Sequence, residues 1–271
     1  MKTIIKSLLF LSVLLQQVNA QADIRLYPSR LFFYQQEGLQ QQKTVHLVNK
    51  SAKKVICLAE MLDWKRDSTG NKIYYPIGTL PTSGSSIMTV SQNTISLEPG
   101  EDKEITISMN MKNGETTFKN SMLFFTQVDT DTLQKGLKIL IQLGVHLYSV
   151  PQKYVDKIII VSNAIIKDTG GGPNLCFDIA NTTRAIIDTE IKAEILNEEG
   201  EKQEESQKMH ISSMPDDSFR VTIPFNKTSK LKNGSKIIVY IDNGFEHPLQ
   251  MVEIPITSQN SDTNSFIGDY R

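Results

Sequence analysis

Cysteine is almost missing from this chain: Cys57 and Cys176 are the only two among 271 residues. A fold stapled by several disulfides is excluded, and stability must come from apolar cores. The two thiols fall in different halves, and Cα atoms more than about 7 Å apart cannot be bridged without moving the backbone, so both are expected free and buried in strands. No charge of one sign dominates, with 29 basic and 30 acidic residues; nothing there suggests a nucleic-acid partner. His46, His146, His210 and His247 lack metal-ligand spacing, and no metal or cofactor is expected. No Gly-x-Ser-x-Gly, phosphate-binding glycine loop or His-Glu-x-x-His pattern occurs, so the chain does not read as an enzyme. A convincing helical period is lacking as well.

The one long apolar run, Leu8 to Leu15, follows Lys2 and Lys6 and precedes Val18-Asn19-Ala20. It is short for a bilayer span and reads as a signal peptide, residues 1–20, cut after Ala20, the alternative being an uncleaved anchor. No membrane span is expected after its removal. The mature chain would carry 27 basic against 30 acidic residues, since the leader holds two lysines and no acid. Its 251 remaining residues suggest two domains.

Short runs rich in Val, Ile, Thr, Phe and Tyr, broken by Gly, Asn, Asp and Pro about every ten residues, predict antiparallel sandwiches. Strands are expected near 23–35, 40–49, 54–64, 86–91, 93–97, 103–110, 120–128 and 136–149. A second set is expected near 155–161, 174–181, 185–196, 206–213, 218–225, 235–242 and 249–257. Val150-Pro151-Gln152 marks the boundary, because proline cannot donate to a ladder. The fold class is therefore all-β, two immunoglobulin-like β-sandwich domains in tandem, at 21–151 and 152–258, with a polar tail at 259–271. Five glutamates between Glu198 and Glu205 read as a solvated hairpin tip. Trp64 and Tyr74-Tyr75-Pro76 could form a ligand platform, or simply core and rim.

Leu137, Ile139, Ile141, Leu143 and Val145 occur at every second position, which puts all five on one side of a strand. Either the domain's own core covers them, or part of the row is an apolar edge kept for a partner. Leu140 adds an apolar residue to the other face.

Residues 24–151 resemble the periplasmic pilus chaperones, the PapD-like family. Leu26-Tyr27-Pro28-Ser29-Arg30-Leu31-Phe32-Phe33 is similar to the family's opening strand with its subunit-anchoring arginine. Val45-His46-Leu47-Val48-Asn49-Lys50-Ser51 resembles its second strand and asparagine turn. Leu97-Glu98-Pro99-Gly100 before Ile105-Thr106-Ile107, and then Met122-Leu123-Phe124-Phe125, resemble later strands. Leu137-x-Ile139-x-Ile141 running into Leu147-Tyr148-Ser149-Val150-Pro151 is similar to the last strand and interdomain proline. In the second half Phe177-Asp178-Ile179-Ala180-Asn181-Thr182-Thr183 is similar to an early strand and turn.

The resemblance implies two immunoglobulin-like domains set at an angle, and a periplasmic, ATP-independent chaperone of pilus or surface subunits, with no cofactor. It implies donor-strand complementation, in which Leu137, Ile139 and Ile141 fill pockets of a secreted subunit that lacks a strand. It implies a basic cleft for the subunit's terminal carboxylate. Arg30 matches the anchoring arginine, and His146 stands where the family has its partner lysine. An outer-membrane usher is a further implied partner. For Arg30 the plain alternative is a surface arginine between strands. For the whole chain it is an extracellular structural or adhesive protein of immunoglobulin-like modules.

Overall fold

The computed structural model of the chain describes residues 24–36, 38–111, 117–128, 140–151, 159–168, 172–226, 231, 234–244 and 248–256. Every regular element among them is a strand. The first ten are β1 (Ile24–Tyr27), β2 (Arg30–Gln35), β3 (Gln40–Asn49), β4 (Val55–Arg66), β5 (Lys72–Pro76), β6 (Met88–Val90), β7 (Thr94–Leu97), β8 (Asp102–Asn110), β9 (Lys119–Gln127) and β10 (Gln142–Pro151). One sheet runs β1-β3-β8-β6; the other runs β2-β10-β9-β4-β5, with β7 also paired to β4. Phe33, Val45, Leu47, Ile95, Leu97, Ile105, Ile107, Leu123, Val145 and Leu147 fill the space between them.

The remaining strands are β11 (Ile159–Asp168), β12 (Pro173–Asn181), β13 (Ile187–Leu196), β14 (Lys202–Glu205), β15 (Met209–Ser213), β16 (Ser218–Pro224), β17 (Lys236–Asp242) and β18 (Gln250–Pro255). They form sheets β11-β12-β16 and β14-β13-β17-β18, with β15 also on β13. Leu175, Phe177, Ile179, Ile191, Val239 and Ile241 are sealed inside. Each such side chain is worth about 1.5–3 kcal/mol on burial, so two cores of this kind need no covalent staple. Cys57 and Cys176 are free and buried, one in each sandwich. Burial pushes the Cys57 thiol up to about 11, which leaves it unreactive at neutral pH.

The same asparagine device closes an early turn in both sandwiches. Asn49 Nδ2 donates to the carbonyls of Lys53, Leu97 and Glu98, while the Ser51 N–H and hydroxyl donate to its Oδ1. Asn181 Nδ2 donates to the carbonyls of Ala185 and Ser213, and Thr183 supplies N–H and hydroxyl. A side-chain amide offers donor and acceptor together, so one residue satisfies backbone groups that the departing strand would leave orphaned.

Several strand expectations change; the one over 155–161 continues to Asp168 as β11, and the one over 136–149 begins at Gln142 as β10. The segment expected as one strand over 23–35 is two: β1 pairs with β3 in one sheet and β2 with β10 in the other. Pro28 lies at the break, where its missing N–H interrupts the ladder. β5 was not expected; Tyr74, Tyr75 and Pro76 belong to it, paired with Leu62, Asp63 and Trp64 of β4. Lys202–Glu205 of the expected hairpin tip is itself a strand, β14, paired to β13.

Candidate functional site

Alternation along β10 gives its two faces different fates. Val145 and Leu147 point into the sandwich core, with Leu143 half-buried against it. His146, Tyr148 and Val150 point outward. Each outward strand neighbour adds an aromatic or long side chain: Phe32 from β2, Met122 and Phe124 from β9, Leu62 and Trp64 from β4. They form one buried cluster, with Ile186 and Met214 from the second half of the chain against it. Gly144 makes room for it: a Cβ there would stand 2.3 Å from Met122 Cε and 3.1 Å from the Phe124 ring.

Arg30 opens β2 directly opposite His146, and these two strands are parallel. Upstream of His146, over Gln142 to Val145, β10 is paired to β9 on one side and to no described strand on the other. Its apolar side there ends in Ile141, which is half-buried. Leu137 and Ile139 lie outside the described residues.

Around His146 stand three cations. Lys72 Nζ, at the start of β5, is 2.9 Å from His146 Nε2 and 5.4 Å from the Trp64 ring centroid. Arg66 ends β4 opposite Lys72. The ammonium donates to Nε2, which places the imidazole proton on Nδ1, a buried atom with no hydrogen-bond partner among the described residues. Burial first, then Lys72, Arg30 and Arg66, hold His146 down at about 4. Burial, reinforced by Arg66 and Arg30, also lowers Lys72. At neutral pH His146 is thus uncharged and the positive charge rests on Lys72, Arg30 and Arg66.

Between about 6.5 and 4 the unfolded chain binds a proton at His146 that the folded chain refuses, so stability falls as pH drops through that window. After allowance for the ring's residual exposure the loss is about 2 kcal/mol. Urea unfolding at pH 7 and pH 4.5 should show this extra loss in the native chain and not in His146→Gln; parallel curves would contradict it.

The second half of the chain forms the opposite wall. Arg66 is the joint: Nη1 donates to the Gly70 carbonyl at 2.7 Å and Nη2 to the Ser212 carbonyl at 3.0 Å. Its Nε lies 3.5 Å from Asp217, and the guanidinium lies over Phe219 at 5.2 Å. Gly70 has φ +86°, and a Cβ would press on the Phe219 ring at 3.0 Å, so both backbone and packing call for glycine. Arg220 N–H donates to the Ser68 carbonyl. Beside this joint opens a cleft of about 530 Å³, with Arg30 and Arg66 on one wall and Asp188, Glu190, His210 and Asp242 on the other. Arg30 Nη1 meets Asp188 at 3.1 Å.

The sequence-derived pair Arg30 and His146 is therefore brought together, in register. Lys72 and Arg66 were missed. Lys72 lies 74 positions from His146, and only the pairing of β4 with β5 carries it there. Reading Asp67-Ser68-Thr69-Gly70-Asn71 as the tip of a hairpin would have set Lys72 opposite Arg66. Among the described residues no cluster of His, Cys, Asp and Glu could hold a metal. No helix among them is long and apolar enough to cross a membrane.

No known family model matches the chain, and no curated protein matches it in sequence. Solved structures match it in fold. A chain from the CsuC–CsuE chaperone–tip adhesion subunit pre-assembly complex of archaic chaperone-usher Csu pili of Acinetobacter baumannii superposes with TM-score 0.50 at 9% identity, covering 86% of this chain and 99% of that one. A chain from a chaperone–tip adhesin complex of CFA/I fimbriae biogenesis gives 0.49 at 15%, covering 87% and 100%. The E. coli chaperone DraB gives 0.46 at 10%, covering 86% and 98%. The match at TM-score 0.50 concerns the fold alone: an all-β chain of two immunoglobulin-like sandwiches, as the sequence led one to expect.

Proposed function

We propose that this chain is a periplasmic, ATP-independent chaperone that caps pilus or surface-structure subunits by lending them a strand, and that it is not an enzyme. The observation that carries this reading is the half-open edge of β10. A strand of another polypeptide, added beside Gln142–Val145 along the line of β2, would run parallel to β10 and end where β2 begins, at Arg30. Main-chain hydrogen bonds would supply affinity and alternate side chains specificity. Leu137, Ile139 and Ile141 are the pocket fillers in this reading, each worth about 1.5–3 kcal/mol if fully buried, before the costs of association.

The cations explain how such a strand is kept in register. A terminal carboxylate arriving at Arg30 meets the guanidinium, which can grip it through two parallel hydrogen bonds, and the ammonium of Lys72. Lys72 takes over the charge that the family resemblance assigns to position 146, and the neutral His146 holds Lys72 by its Nε2. Clients are secreted subunits, with an outer-membrane usher as a further partner.

Ile139→Asp tests the strand. Pull-down of tagged chain from the periplasm, followed by mass spectrometry, should recover surface subunits with the native sequence and lose them with the variant, at unchanged circular dichroism. A variant that fails to fold would put Ile139 in the chain's own core and sink the lending model. Stable homopolymers of the native chain would favour a structural or adhesive protein instead.

A further inference from the structure

Arg30, the residue on which the proposed carboxylate anchor depends, is already holding a carboxylate. Its Nη1 lies 3.1 Å from Asp188 Oδ1 and 3.3 Å from Oδ2, and the Ser212 hydroxyl donates to the same Oδ1. Asp188 is the second residue of β13, after the buried Ile187, and reaches across the cleft from the other sandwich. We infer that Asp188 is an internal stand-in for the client's terminal carboxylate, a specificity-determining residue that an incoming chain must displace from Arg30. This rests on the chaperone reading above and deepens it.

Two features support displacement rather than a permanent tie. Both side chains are well exposed, Arg30 at 43% and Asp188 at 60%, and an ion pair in such a setting is weak and readily exchanged. Lys72, by contrast, has no carboxylate within ion-pair distance among the described residues; its close contact is the neutral His146. A client carboxylate would therefore gain Lys72 outright and take Arg30 by exchange. Held on the same molecule, Asp188 competes at high effective concentration. It suppresses stray anions and weakly paired chain ends, while a chain also zipped along β10 can outbid it. The neighbouring acid Glu190 is differently placed: it pairs with Lys208 at 2.6 Å and His210 at 3.7 Å.

The test measures fluorescence anisotropy of a labelled decapeptide of alternating valine and threonine, as free acid and as C-terminal amide. Asp188→Asn keeps the side-chain shape and should bind the free acid about two- to fivefold more tightly than the native chain, the range set by an exposed ion pair. Binding of the amide should not change, and the gain should vanish in an Arg30→Ala background. Equal or weaker binding of the acid by Asp188→Asn would overturn the inference and make Asp188 a residue that orients Arg30. The same gain from Glu190→Gln would overturn it too, because a general loss of negative field would then suffice. If the native chain fails to bind the acid in preference to the amide, the carboxylate anchor itself is wrong and this inference falls with it. An acid preference without the Asp188 effect sinks the inference alone.

Discussion

Trp64→Ala is expected to lower the free energy of unfolding by about 3–5 kcal/mol, the range for emptying a buried aromatic site. Trp64 is 1% exposed, and its ring lies 5.0 Å from that of His146, 5.4 Å from Lys72 Nζ and 6.0 Å from the Arg66 guanidinium carbon. Its indole nitrogen has no hydrogen-bond partner among the described residues. Removal therefore orphans no polar group there, and the cost is packing plus two cation–π contacts of about 0.5–2 kcal/mol each. Trp64→Phe should recover most of it. Denaturation followed by circular dichroism checks this, since Trp64 is the single tryptophan and the variant has lost its fluorescent probe. A loss below about 1 kcal/mol would mean that the two sandwiches close over the gap.

The second large effect concerns binding. Arg30→Ala combined with Lys72→Ala is expected to weaken capture of a free-acid strand peptide by about 30-fold or more and to leave its amide unaffected. A bound strand would cover the two cations, and truncating one partner of a buried hydrogen-bonded charge pair costs about 2–5 kcal/mol. Arg30 is exposed enough to put the effect near the low end of that range, about 2 kcal/mol, hence the 30-fold figure. Titration calorimetry on acid and amide separates the two cases. Equal loss for both would show that the cations serve the fold or bind the peptide elsewhere. Lys72→Ala alone should give part of the effect; none at all would return the role to Arg30 by itself.

Strand after strand was legible because a half-buried strand writes its alternation into the sequence. Gln40–Asn49, Asp102–Asn110 and Lys119–Gln127 match the expected segments to within one residue at each end. The asparagine turns at Asn49 and Asn181 could be read because the side chain satisfies its own local backbone. β5 escaped because Lys72–Pro76 is short, mostly exposed and ends in proline, so neither alternation nor burial marks it. With β5 unseen, Lys72 had no route to the site.

What the sequence alone determined is whatever depends on neighbours a few residues away: an all-β chain without staples, its turns, and Arg30 and His146 as candidates on flanking strands. What only the tertiary structure decided is the company these residues keep. Desolvation under the aromatic cluster makes His146 neutral, hairpin pairing brings Lys72 to it, and packing of the second sandwich sets Asp188 on Arg30. Charge state and ion pairing depend on distances across space, and the order of residues along the chain does not contain those distances until the strands have paired.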